Sequence, residues 1–207
     1  TGEPLAAMDG RLITEMRTAA VSAAATKYLM PEGSRVLAVL GSGVQAHAHV
    51  EALAHVADFG EIRVWSRTAE HAQQFARQRG ATAMDAEAAV RDADVVVVAT
   101  SSRQPVLRGE WLKPGAHVNA VGANRPDWRE LDDDAMSATL FVDSRAAAAQ
   151  ESGDIMLSRA AIYAEIGELF ANAVLAPPRS ATTIFKSLGL AVEDLAAAKL
   201  VLNAFTR

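Results

Sequence analysis

The stretch that most constrains the chain is RVLAVLGSGVQA, residues 35–46. An apolar run stops abruptly at Gly41, Ser42 and Gly43, and the residues that follow favour helix. A buried strand, a tight turn and a helix start, in that order, form the first part of a dinucleotide-binding unit. Each small residue has its own reason. Gly41 lets the chain turn sharply off the strand, and Gly43, lacking a Cβ, lets the backbone approach a pyrophosphate so that the first helical N–H groups point at it. Ala46 takes the position where helix and strand pack closest.

The chain after this turn keeps alternating. Helix is expected over 44–57, a second strand over 61–65, helix over 68–79, and a brief third strand over 80–84. A short helix at 86–91 leads to DVVVVA at 94–99, β-branched on both faces as a central strand covered on both sides should be. Strand five is expected at 117–121 and strand six at 139–142. The pattern predicts an α/β fold, a Rossmann-type doubly wound parallel sheet, in the order 3-2-1-4-5-6. Upstream, residues 5–8 read as a strand closed by Asp9-Gly10, then a helix from an N-cap at Thr14 to about Leu29. Downstream, 143–170 reads as mostly helical with a break at Gly153, 173–179 as a connector, and 191–204 as a last helix after the stretch 182–188.

Half of the 207 residues are hydrophobic, which allows one large domain or one domain with an appendage. A net charge of −5 argues against nucleic acid and anionic membrane as partners. The absence of cysteine removes disulfides, thiolate catalysis and cysteine-ligated zinc, and suits a cytoplasmic protein. No run approaches the ~20 apolar residues of a membrane span, and no signal-type pattern opens the chain. Thr1 in place of methionine points to a start after processing or within something longer.

The end of the second strand chooses the dinucleotide. An acidic residue there accepts from the ribose 2′-hydroxyl of NAD, but this chain has Ser66, Arg67 and Thr68. A guanidinium between two hydroxyls suits a 2′-phosphate, and so NADPH/NADP. Glu61 has the spacing of an NAD-type acid, yet it begins the strand, about 13 Å from the binding edge. By topology, Thr100 and Ser101 after strand four, with Val121 and Gly122 ending strand five, flank the nicotinamide side.

The motifs RTAAVSA (17–23), GSGVQA (41–46), VWSRT (64–68), KPGAHVNAVGANRPDWRELDD (113–133), VDS (142–144), ESGDIML (151–157) and FKSLGLAVED (185–194) together resemble the ornithine cyclodeaminase/mu-crystallin family. Within it, the likeness is nearest to the mu-crystallin-type ketimine reductases. The resemblance implies an NADPH-dependent reductase of small cyclic imino acids, of the pyrroline-2-carboxylate and piperideine-2-carboxylate kind, acting as a homodimer when full length. It implies that Gly41, Gly43, Val44 and Gln45 lie along the pyrophosphate, that Ser66, Arg67 and Thr68 hold the 2′-phosphate, and that Arg17 grips the substrate carboxylate. Asn124 stands where ornithine cyclodeaminases carry an aspartate acid/base, and an amide orients a substrate or water without moving a proton. That weighs against cyclodeamination, and with Arg67 against an NAD-linked amino-acid dehydrogenase. A ligand-binding protein without turnover is the alternative from another class.

Family members also carry an upstream region absent before Thr1. The resemblance therefore divides the chain into a remnant strand and connecting helix of a substrate domain (1–30), the dinucleotide domain (31–172) and a segment returning to the substrate domain (173–207). Three other groups have plainer roles. His47, Glu51 and His55 share a helix face but lack a third strong ligand, so no metal is expected; Asp132 to Asp134 read as a helix start. Asp127 and Asp154 are candidates for proton transfer or for loop and cap roles.

Overall fold

A computed structural model describes residues 2–205; Thr1 lies outside them. The elements run α1 (Gly10–Leu29), β1 (Val36–Leu40), α2 (Val44–Leu53), β2 (Glu61–Trp65), α3 (Ala69–Arg79), β3 (Thr82–Ala83), α4 (Ala86–Val90), β4 (Val95–Val98), β5 (His117–Ala120), α5 (Asp133–Met136), β6 (Thr139–Val142), α6 (Arg145–Glu151), α7 (Gly153–Ser158), β7 (Ile162–Glu165), α8 (Ile166–Phe170), β8 (Thr183–Lys186) and α9 (Ala191–Phe205). The strands form one sheet in the order β3-β2-β1-β4-β5-β8-β6-β7, and each recorded pairing is parallel.

The strand period of two sends alternate residues of β1 to opposite layers. Leu37 and Val39 pack with Ala46, Val50 and Leu53 of α2, whereas Ala38 and Leu40 pack with Ala89 and Val90 of α4 and Ala135 of α5. All four valines of β4 are fully buried, each contributing ~1.5–3 kcal/mol relative to exposure. A third cluster joins Ala25 and Leu29 of α1 to Phe141, Ala164 and Phe185 of the far strands. α1 thus spans the sheet on the α2 side. Buried small residues, Ala19, Ser22, Ala23 and Thr26, let it lie close.

Four expectations are corrected. Residues 5–8 form no strand; residues 2–9 carry no regular structure, and Leu5 is exposed. The Asp9-Gly10 pair is a helix start, with the Asp9 carboxylate accepting from the Arg11 amide at 2.9 Å, so α1 begins before Thr14. The 143–170 stretch contains β7, which the alanine-rich helical pattern around it conceals. Finally, the six-strand order 3-2-1-4-5-6 gives way to eight strands, because β8 enters between β5 and β6. The segment expected as 173–207 therefore passes through the sheet interior before α9 leaves it. α9 lies against α1 and buries none of its residues fully; Leu195 and Leu200 are exposed.

Candidate functional site

The site grows from the turn after β1. Gly41 has φ 120°, a conformation side chains resist, and a Cβ there would run into the Ala99 carbonyl. Its amide donates to the Trp65 carbonyl at 2.8 Å, which ties the turn to the end of β2. Gly43 caps α2, and the space around its missing Cβ is open. Ala46, one turn on, is fully buried against the sheet. The free N–H groups of α2 thus face an open crevice of about 470 Å³. It is lined by Gly41, Ser42, Gly43, Val44, Gln45, Trp65, Ser66, Arg67, Thr68, His71, Ala99, Thr100, Ser101, Ser102 and Val106.

Nine of the expected cofactor residues therefore share one crevice: Gly41, Gly43, Val44, Gln45, Ser66, Arg67, Thr68, Thr100 and Ser101. Val121 and Gly122 stand one strand over and touch its wall rather than line it. The Val121 amide donates to Val98 at 2.8 Å, and a Cβ on Gly122 would collide with the Thr100 carbonyl and the Glu130 carboxyl. At the rim, Arg67 is exposed and has no hydrogen-bond or ion-pair partner among the described residues. Glu61 sits at the opposite end of β2, where its carboxylate accepts from Arg63 at 2.7 and 3.1 Å.

The two expected substrate residues are not part of this lining. The Arg17 guanidinium is 13% exposed and is held by the chain's own carboxylates: Nη1 donates to Glu193 at 2.9 Å and Nε to Asp194 at 3.1 Å, both on α9. Burial pushes the Glu193 carboxyl up, with Arg17 pulling it back. Asn124 is exposed in the loop after β5. Nearby, Arg103 and Arg125 each lie 5.2 Å from the Trp128 ring centre, and the Gly153 amide donates to the Arg125 carbonyl at 3.0 Å. Gly153 has no room for a side chain against Trp128, which explains the small residue within the 151–157 motif.

Sequence reading missed a buried cluster behind the crevice wall. Glu130, Asp154 and Lys186 are fully buried. Lys186 Nζ donates to Asp154 Oδ2 at 3.0 Å and to the Gly122 carbonyl, and Glu130 accepts from both donors of Thr100. Asp154 is thereby a structural ion pair, and Asp127 is an exposed loop residue. Asp132 caps α5, accepting from the Ala135 amide at 2.9 Å. Arg79 bonds His47 at 2.9 Å and pairs with Glu51 at 3.6 Å, and no group of three metal-ligating residues occurs among the described residues.

A glycine turn aimed at an open crevice, with an uncommitted arginine at the end of the second strand, defines a dinucleotide-binding α/β protein. The family model of the ornithine cyclodeaminase/mu-crystallin family matches residues 1–207, and the chain belongs to that family. It is 54% identical over 209 residues to ketimine reductase mu-crystallin of Rattus norvegicus, covering 99% of this chain and 66% of that protein. It is 38% identical to the Delta(1)-pyrroline-2-carboxylate reductase of Bacillus cereus, covering 96% and 66%. The fold matches the Thermococcus litoralis Delta(1)-pyrroline-2-carboxylate reductase solved with NADH and L-proline, with TM-score 0.93, 36% identity and 98% and 68% of the two chains covered. It also matches an archaeal alanine dehydrogenase dimer with bound NAD, at TM-score 0.92 and 36% identity, over 98% and 67% of the two chains. The chain spans just under two thirds of the length of the curated relatives it matches.

Proposed function

We propose that this chain is the nucleotide-binding part of an NADPH-dependent reductase of cyclic ketimines. The observation that carries the cofactor is Arg67, without a hydrogen-bond or ion-pair partner among the described residues, at the crevice rim between Ser66 and Thr68. A 2′-phosphate offers that guanidinium charge-assisted bonds, and a bare ribose does not. The open space at Gly43 and the unpaired amides of α2 suit a pyrophosphate. When bound, a reduced nicotinamide supplies the hydride that turns a C=N carbon into CH–NH. The fold likeness to a pyrroline-2-carboxylate reductase solved with NADH and to an alanine dehydrogenase with bound NAD supports a nicotinamide, and the sequence likeness to ketimine and pyrroline-2-carboxylate reductases supports the substrate class.

The chain's own residues have three tasks in this reading. Those of the crevice hold the dinucleotide; Thr100, Ser101, Val121 and Gly122 shape the nicotinamide end. Arg17 anchors the substrate carboxylate, which requires that carboxylate to replace Glu193 or Asp194 on a guanidinium already bonding carboxylates at two nitrogens. Asn124 orients the substrate or a water. The same reading places the full-length protein in the cytoplasm as a homodimer. Among the described residues no helix is long and apolar enough to cross a membrane.

Fluorescence titration of the chain with NADPH and NADH tests the cofactor, and NADPH oxidation with pyrroline-2-carboxylate by a chain extended upstream tests the reaction. Tighter NADPH binding and steady turnover are expected. Equal affinities remove the role given to Arg67, and tight binding without turnover turns the reading into that of a ligand-binding protein.

A further inference from the structure

The buried cluster behind the crevice is costly to build and only half satisfied. Glu130 comes from the loop before α5, Asp154 from α7 and Lys186 from the end of β8. Asp154 Oδ1 accepts from the Glu130 and Leu131 amides at 2.7 and 3.0 Å, while its Oδ2 takes the Lys186 ammonium at 3.0 Å. These bonds fix the Glu130 backbone and aim its carboxyl at the C-terminal ends of β4 and β5. There Oε1 accepts from the Thr100 amide at 2.6 Å and from the Thr100 hydroxyl at 2.5 Å. Oε2 is buried against Gly122 with no donor among the described residues. A purely structural plug has no need of an ionisable group with an orphaned oxygen, since an apolar residue of similar volume avoids the desolvation cost.

We propose that Glu130 is a positioning residue for the nicotinamide half of the crevice, acting through Thr100 and Gly122, and that its charge state sets how firmly the crevice holds a dinucleotide. The proposal rests on the cofactor reading above. With the carboxyl ionised, both Thr100 bonds are charge-assisted, roughly twice as strong as neutral ones, and the wall formed by Thr100 is held firmly. With the carboxyl protonated they become ordinary bonds and the wall loosens. The charged groups facing Glu130 are Lys186 from β8 and Asp154 from α7; β4 and β5 present Thr100 and Gly122 to it. Burial pushes the carboxyl up to about 7, with Lys186 and the Thr100 donors pulling it down, so the change falls near neutral pH.

The test is a fluorescence titration of the 207-residue chain with NADH, which has no 2′-phosphate to titrate, between about pH 6 and about pH 9. Binding should weaken about fivefold as pH falls through neutrality, the difference expected between a charge-assisted and a neutral bond. Glu130→Gln should abolish this inflection. Thr100→Val keeps the carboxyl but removes one donor to its charged form, and should move the inflection to higher pH. A folded E130Q protein that keeps the inflection assigns it to another group and overturns the proposal. So does an unmoved inflection in T100V, which decides the matter if E130Q does not fold. Infrared titration of the chain without cofactor separates the two readings. A protonated-carboxyl band that grows as pH falls, moves to higher pH in T100V and is lost in E130Q, in a chain that binds no NADH at any pH, overturns the cofactor reading and this proposal with it. NADH binding with no such band overturns this proposal alone.

Discussion

The Ser42 hydroxyl donates a hydrogen bond to the Ser66 hydroxyl at 2.9 Å, so the glycine turn after β1 and the end of β2 form one continuous surface. Gly41, bonded to Trp65, braces the same junction. The pyrophosphate and 2′-phosphate parts of the crevice are therefore not independent, because the loop that carries Arg67 is tied to the turn that faces α2.

Arg67→Glu follows directly. Charge-assisted bonds to a phosphate contribute about 1.5–3 kcal/mol each, so loss of the guanidinium should weaken NADPH binding about tenfold or more. Because the variant carboxylate repels a 2′-phosphate but accepts from a ribose hydroxyl, NADH should weaken far less or improve. Parallel titrations measure both affinities, and an unchanged NADPH affinity rejects the role of Arg67.

Two glycines of the same motif should behave in opposite ways. Gly41→Ala puts a Cβ against the Ala99 carbonyl on a backbone with positive φ, which strains the turn by at least about 1 kcal/mol and should lower the urea midpoint. Gly43→Ala meets nothing within 4 Å and has φ −83°, so the fold should keep its stability while cofactor affinity falls. Equal urea midpoints for the two variants contradict this division of labour.

The acid limb of stability should depend on His49. It is buried between α1 and α2, with Nδ1 against the Gln45 carbonyl at 2.7 Å and Nε2 against the Ser22 hydroxyl at 2.9 Å, and burial lowers its pKa to about 4. The unfolded chain takes up this proton below about 6.5 and the folded chain does not until about 4, so stability is lost as pH falls through that window. Burial of His117, lowered to about 3, acts in the same sense. Glu130 acts in the opposite sense, since its raised carboxyl binds a proton in the folded state first. Thermal midpoints of wild type and His49→Gln between about pH 7 and about pH 4.5 check this; the variant should show the shallower slope, and parallel curves reject it.

What the sequence makes legible is local. The turn at Gly41 to Gly43, the all-valine β4, the position of Arg67 and the dismissal of Glu61 each depend on a few adjacent residues and strand length, and the structure has these features. The place of β8 is not legible, because nothing in the four residues TIFK says which distant strands they will join. At the chain start, Asp9-Gly10 signals a hairpin turn and a helix cap equally well, and only the bond to Arg11 separates them. Arg17 sits on its helix as expected, but its carboxylate partners come from α9. Glu130 escapes for the same reason. Within WRELDD it reads as one more acid in an exposed charged run, and its burial depends on Lys186 arriving from a strand late in the chain.

That late arrival makes Lys186 a sensitive test of the architecture. Its side chain is fully buried at the end of β8, and its ammonium joins α7, through Asp154, to the loop after β5, through the Gly122 carbonyl. Lys186→Met keeps much of the volume but leaves the buried Asp154 carboxyl without its ammonium partner, held by its two backbone donors. Removing one partner of such a pair costs about 3–5 kcal/mol, which is a large part of the stability of a domain this size. Asp154→Asn keeps an oxygen for the Glu130 and Leu131 amides while removing the stranded charge, so the double variant should recover a large share of the loss. Urea unfolding of the wild type, both single variants and the double variant measures the coupling. A single-variant loss below about 1 kcal/mol, or losses that simply add, would show that the pair does not hold β8 and α7 together in the way its burial implies.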